Sequence, residues 1–158
     1  MGLGLVSESG GRYEALHWEV VRTAKETPFP LRLMQLHDAL LAAIARHRPG
    51  LLSMEKLFFS RNVRTAMAVG QAQGIILLAA AKTGLEVAQY NPMEVKQSVT
   101  GSGMADKKTV ALMVQKVLGM DEMPRPDDAA DALAVAYCHL VSTRGPRIDV
   151  PPAGEQGT

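Results

Sequence analysis

Glu55 in LLSMEKLFF, and Asp128 with Asp131 in RPDDAADALAVAY, are the residues of this chain whose types and spacing best suit chemistry. Glu55 follows a short apolar run. Asp128 and Asp131 stand at i and i+3 at the start of an apolar helical pattern, a spacing that puts two side chains on one helix face. Carboxylates at the end of one strand and on the first turn of a distant helix supply hard oxygen ligands for Mg²⁺ or Mn²⁺. Two such ions, about 3.5 to 4 Å apart, can activate a water and stabilise the leaving oxygen of a phosphodiester. The same residues also suit plainer roles: Asp128 as an N-cap, Asp131 as a first-turn acid favoured by the helix dipole, Glu55 as the point where a strand meets water.

Basic and aromatic residues accompany these acids. EKLFFSRNVRT sets Phe58 and Phe59 beside Arg61 and Arg64, a mixture that stacks or wedges against bases while neutralising phosphates; the alternative is that the rings join the core. VKQSVTGSGMADKK places Lys96, Lys107 and Lys108 around a glycine-rich turn where backbone N–H and ammonium groups can meet a phosphate together, although a solvated basic helix end has the same composition. It is not a nucleotide-binding P-loop, which needs Gly directly before Lys, because Asp106 precedes Lys107. His17, His37, His47 and His139 lack paired metal-ligand spacing and read as ordinary histidines. Cys138, the single cysteine, lies in an apolar helical pattern and reads as a buried thiol of a reducing compartment.

The elements that must position these residues follow from periodicity and punctuation. LGLVSES (3–9) and YEALHWEVVRT (13–23), separated by Gly10 and Gly11, predict a hairpin. Pro28 and Pro30 are expected to break the chain before a helix over LRLMQLHDALLAAIARH, which Pro49-Gly50 stops. LLSME (51–55) reads as a buried strand with Glu55 at its carboxyl end, 62–81 as a helix, and LEVAQY (85–90) as a strand. Asn91-Pro92 opens the helical segment MEVKQSVTG, and after a Gly-Ser-Gly break DKKTVALMVQKVLGM resumes as an amphipathic helix. Asp127 or Asp128 is expected to cap the last helix, ADALAVAYCHLVST. The 158 residues, 47% hydrophobic, make one α/β domain over 1–144 and a disordered tail over 145–158. The net charge of +1 neither announces nor excludes a nucleic-acid partner. The apolar run GIILLAAA is too short to span a bilayer, and a soluble cytoplasmic protein is expected.

Taken together, EKLFF, VGQAQG (69–74), YNPMEVKQSVTGSGMADKK and DDAADALAVAYCH closely resemble the RuvC family of Holliday-junction resolvases, from about Gly2 to about residue 143. The resemblance implies an RNase H-like mixed sheet flanked by helices. It also implies a homodimer, two Mg²⁺ ions per active site (Mn²⁺ possible), and symmetric nicking of four-way DNA junctions in recombination and repair, alongside a branch-migration motor. By that resemblance Glu55, Asp128 and Asp131 fall on three of four catalytic, metal-binding carboxylates. Lys96 and Lys107 fall on basic residues near the scissile and neighbouring phosphates, and Phe58 on the aromatic that engages bases. Lys107 thus joins the catalytic set, and Arg61, Arg64 and Lys108 the DNA-binding one. Asp127 lies one residue outside the family's D-A-A-D-A pattern and is given a capping or loop role. The helix 33–47 or the helix 62–81 supplies the dimer interface.

The departure from the pattern is at the start. The family opens with a strand ending in Asp-Pro-Gly that carries the fourth carboxylate, whereas MGLGLV looks like the family's second strand. The first central strand is therefore expected to be missing from this chain. Its loss removes a ligand and the hydrogen-bond partners of two neighbours, leaving a chain of poor stability and weak metal binding. Met1 is then expected to be an internal methionine, with roughly a dozen to twenty more residues in the complete protein, the length of one strand and its turn. Two alternatives stand beside the resolvase: a truncated or inactive junction-binding protein, and a related RNase H-like nuclease acting on structured RNA.

Overall fold

Gly10 and Gly11, with φ of 57° and 87°, take the left-handed conformations that a two-residue hairpin loop requires, and they turn β1 (Gly2–Ser9) into β2 (Arg12–Val20). The two strands pair antiparallel from Gly2↔Val20 to Ser9↔Arg12, with a register shift between Leu5 and Val6. In the computed structural model, which describes residues 1–56 and 63–143, nine elements follow the order expected from the sequence. The remaining seven are α1 (Phe29–His47), β3 (Leu52–Glu55), α2 (Val63–Thr83), β4 (Val87–Tyr90), α3 (Pro92–Thr100), α4 (Lys107–Val117) and α5 (Asp127–Ser142). The expected tail, from residue 145 on, lies outside the described residues.

Two expectations about helix starts need correcting. Pro30 does not break the chain before α1 but sits in its first turn, with Pro28 as the N-cap, because a first-turn residue has no intrahelical use for its N–H. Neither Asp127 nor Asp128 caps α5. Pro126 holds the extended N-cap conformation without a side-chain bond, and both acids lie in the first turn, where the dipole favours them.

The strands form two ladders rather than one continuous mixed sheet. β1–β2 is antiparallel, β3–β4 is parallel, and no described strand hydrogen-bonds one pair to the other. α5 joins them by packing on all four strands. Its buried face is built from Ala129, Ala130, Leu133, Ala134, Val135 and Cys138, and the alanines let backbones come close. β1 makes use of this. A Cβ on Gly4 would lie 2.9 Å from the Leu133 nitrogen, and one on Gly2 would collide with the Asp128 carbonyl, so glycine is needed where the strand crosses the first turns of α5.

The core lies where α5 meets α3 and α4: Val95, Val99, Val110, Val114, Leu118, Leu133 and Cys138 pack as one cluster, with Tyr13, Tyr90 and Tyr137 at its margin. α1 and α2 pack mainly on each other. Among the described residues, no helix is long and apolar enough to cross a membrane.

Candidate functional site

Glu55 is the last residue of β3, immediately after buried Met54, and it pairs in parallel register with Tyr90, the last residue of β4. The carboxyl ends of adjacent parallel strands open a crevice in which ligands commonly bind. Backbone bonds hold Glu55 there. The N–H of Lys56 donates to the Tyr90 carbonyl at 2.8 Å, and the Gln73 side chain, reaching from α2, donates to the Glu55 carbonyl at 2.8 Å. Gln73 belongs to the VGQAQG segment, where the helical pattern alone assigned it no role.

Asp131 faces this strand end from the second turn of α5. Burial, then repulsion from Asp131, pushes the Glu55 carboxyl above its ordinary pKa, against the pull of Lys107 and Lys96. Asp131 is also raised: burial leads, Lys107 opposes it, and Asp128 and Asp127 add repulsion. Half of the Asp131 side chain is open to solvent, at 53%, yet the surrounding protein still desolvates its carboxylate. The two acids, far apart in sequence, therefore share one electrostatic environment, and two lysines share it with them.

Lys107 opens α4 and brings its Nζ to 3.9 Å from an Asp131 oxygen, while Lys96 on α3 also draws down the pKa of both acids. The turn between α3 and α4 is firmly built. Gly101 ends α3 at φ 77°, the Gln97 side chain spans the turn to bond Gly101 and Gly103, and the Asp106 carboxylate caps α4 by accepting from the Thr109 N–H at 2.7 Å. Asp106, which excludes a P-loop reading, thus has a structural task. Lys108 is exposed beside it.

Asp128 lies in the first turn of α5, exposed and next to the backbone of Gly2. It acts on Asp131 but is not among the groups that shift Glu55. Among the described residues, no three His, Cys, Asp or Glu side chains come together closely enough to hold one metal ion. The geometry thus brings Glu55 and Asp131 together with Asp128 at their edge, short of the three-ligand cluster expected from sequence. The donor chemistry still suits a hard divalent cation: oxygen ligands, partly desolvated and mutually repelling, whose raised pKa values a nearby cation would reverse. Phe58 and Arg61 lie outside the described residues, and Arg64 is placed only as a position in the first turn of α2.

The remaining sequence candidates take structural places. Cys138 is buried with its thiol pKa pushed up by that burial, as expected of an inert cysteine. His17 stacks on His47 with ring centroids 4.6 Å apart, His37 lies against Asp38, and His139 bonds the Tyr90 hydroxyl at 2.8 Å.

A family model described as crossover junction endodeoxyribonuclease RuvC matches residues 1–139. The crossover junction endodeoxyribonuclease RuvC of Syntrophomonas wolfei is 47% identical over 143 residues, covering 90% of this chain and 83% of the relative. That of Moorella thermoacetica is 52% identical over 140 residues, covering 88% and 83%. Among solved structures, Thermus thermophilus RuvC in complex with Holliday junction substrate superposes with a TM-score of 0.82 at 40% identity, covering 90% of this chain and 87% of the other. A second Thermus thermophilus RuvC structure gives 0.81 at 41% identity, covering 90% and 88%. These neighbours carry the RNase H-like architecture that the resemblance implied, and the chain belongs to the RuvC family.

Proposed function

We propose that this protein is a crossover junction endodeoxyribonuclease that resolves Holliday junctions in DNA recombination and repair, nicking two strands symmetrically as a homodimer. The observation that carries the reading is the electrostatic coupling of Glu55 and Asp131 with each other and with Lys96 and Lys107, in a chain whose relatives bear that activity in their names and one of which is solved with a junction substrate. Glu55 and Asp131, with Asp128, would hold Mg²⁺ or Mn²⁺, two ions in the complete site. Bound there, the ions supply Lewis-acid stabilisation to an in-line phosphodiester hydrolysis.

The chain's own residues do the rest. Lys107, on the first turn of α4 with that helix's N–H groups behind it, neutralises the phosphate next to the acids and opposes the rise that burial imposes on the Asp131 pKa. Lys96 and Lys108 hold neighbouring phosphates, Arg61 and Arg64 are assigned further phosphate contacts by the family resemblance, and Phe58 the engagement of bases at the branch point. Exposed Leu31 and Met34 on α1, and Met67, Leu77 and Leu78 on α2, provide apolar surface for a second copy, whose two-fold symmetry matches the paired strands of a junction. A branch-migration motor as partner and a cytoplasmic location belong to the same reading.

One observation favours a second reading, a junction-binding protein without nuclease activity: the acids stop short of a three-ligand group among the described residues. Incubating labelled four-way DNA junctions with the protein and Mg²⁺ separates the two. The nuclease reading expects paired nicks at symmetric positions, and expects Asp131→Asn to stop cutting while junction binding persists, because phosphate contacts dominate affinity. Junctions bound and left intact by the wild-type protein would establish the second reading. Loss of binding in Asp131→Asn would contradict the assignment of separate tasks to the acids and the lysines.

A further inference from the structure

Four elements carry the site, α4 with Lys107 and three others: β3 holds Glu55, α3 holds Lys96 and α5 holds Asp131. Tyr90 is tied to these last three. Its backbone pairs in register with Glu55, and its carbonyl accepts from the Lys56 N–H at 2.8 Å, fixing the strand end from which the Glu55 side chain leaves. The next residue, Asn91, is the N-cap of α3, where the Glu94 carboxylate accepts from the Asn91 N–H at 2.6 Å and the Asn91 carbonyl receives the Val95 N–H at 3.1 Å. The Tyr90 hydroxyl lies 2.8 Å from His139 Nδ1 on α5. Burial lowers the His139 pKa, which favours the neutral imidazole as partner of the hydroxyl.

The bond to α5 has a counterpart on the neighbouring strand. Ser53, two residues before Glu55 and therefore on the same face of β3, directs its hydroxyl to the Val135 carbonyl at 3.4 Å. Val135 lies one helical turn beyond Asp131 and His139 a further turn along. Two attachment points on one helix fix its direction as well as its distance, and α5 is fastened in this way to both β3 and β4. None of these atoms touches a reacting group.

We infer that Tyr90 is a positioning residue of the nuclease site, whose hydroxyl holds α5 against the β3–β4 pair so that Asp131 stays opposite Glu55. This rests on the proposed function, since it assigns a task within the same site. Groups that orient metal ligands from behind commonly contribute about 10- to 100-fold in metal affinity or activity.

The test is Mn²⁺ binding to the full chain, read by calorimetry, with junction affinity measured separately in the absence of metal. Tyr90→Phe removes one oxygen and keeps the ring; it is expected to weaken Mn²⁺ binding by about tenfold and leave metal-free junction affinity unchanged. His139→Asn puts an amide oxygen near the Nδ1 position and is expected to retain most of the affinity, whereas His139→Leu is expected to match Tyr90→Phe. Wild-type Mn²⁺ affinity in Tyr90→Phe would overturn the inference. A loss that follows the melting temperature, with His139→Asn no better than His139→Leu, would overturn it equally. A wild-type chain that binds no Mn²⁺ overturns both the acid centre and the role of Tyr90. One that binds Mn²⁺ yet neither binds nor cuts junctions overturns only the nuclease reading, and the comparison of variants still decides about Tyr90.

Discussion

The α3–α4–α5 half of the molecule and the α1–α2 pair are both rich in apolar residues but place them differently. In the first, Val99, Val114, Leu118, Leu133 and Cys138 are almost wholly withdrawn from solvent, and every helix touches another that bears part of the site. In the second, Leu40, Ala66, Ala79 and Ala80 are buried, while Leu31, Met34, Met67, Leu77 and Leu78 remain exposed. A half that must hold Lys107 beside Asp131, with Glu55 and Lys96 in the same electrostatic environment, needs a closed, close-packed core. In the homodimer we propose, the α1–α2 half would offer its apolar surface to the second copy, and that surface can stay open until the copy arrives.

Substitutions sharpen this contrast. Leu133→Ala, at a site with no solvent contact, is expected to destabilise the fold by about 2 to 5 kcal/mol in denaturant unfolding. Gly4→Val, which drives a side chain into the backbone of α5, is expected to lose about 1 to 3 kcal/mol, read in the same way. Leu78→Ala should change monomer stability by no more than about 0.5 kcal/mol. Its effect should appear instead in sedimentation as weaker self-association, and Leu78→Glu should show the same effect more strongly. Equal losses at Leu133 and Leu78 would erase the distinction between the halves.

A smaller effect concerns pH. Glu55 and Asp131 have folded pKa values raised above those of free carboxylates, so their protonated forms favour the folded state. The stability they contribute is fully present below the ordinary carboxylate range and is lost as pH rises through the raised values. Metal-free protein should therefore melt slightly lower at pH 7 than these groups alone would allow at pH 4. Asp131→Asn should melt at or above the wild type at pH 7, and Mg²⁺ should raise the wild-type melting temperature more at pH 7 than at pH 5. A variant that melts well below the wild type at neutral pH would show that Asp131 stabilises the fold rather than straining it.

Much of the architecture was legible because its signals are local. Two glycines in a row suit a hairpin turn, Asn91-Pro92 opens a helix, and the alternation of β2 matches its half-buried pattern. The start of α1 departs from expectation because proline both breaks and begins helices, and that of α5 because an aspartate suits an N-cap and a first turn alike; only tertiary context decides. The i, i+3 acids could be placed on one helix face from spacing, but the coupling of Asp131 to Glu55 rested on resemblance, because nothing local encodes it. The Gln73 bond to Glu55, the Ser53 bond to Val135 and the Tyr90 bond to His139 were illegible for the same reason: each joins residues whose sequence neighbourhoods say nothing of one another.

The central claim is that Glu55 and Asp131, brought from separate elements, act as one site for a divalent cation. Mn²⁺ titrations of the wild type, Glu55→Gln, Asp131→Asn and the double variant test it most directly. A shared ion predicts that either single change removes most of the affinity and that the double change removes little more. Losses that simply add, or a wild-type affinity that survives either change, would contradict it.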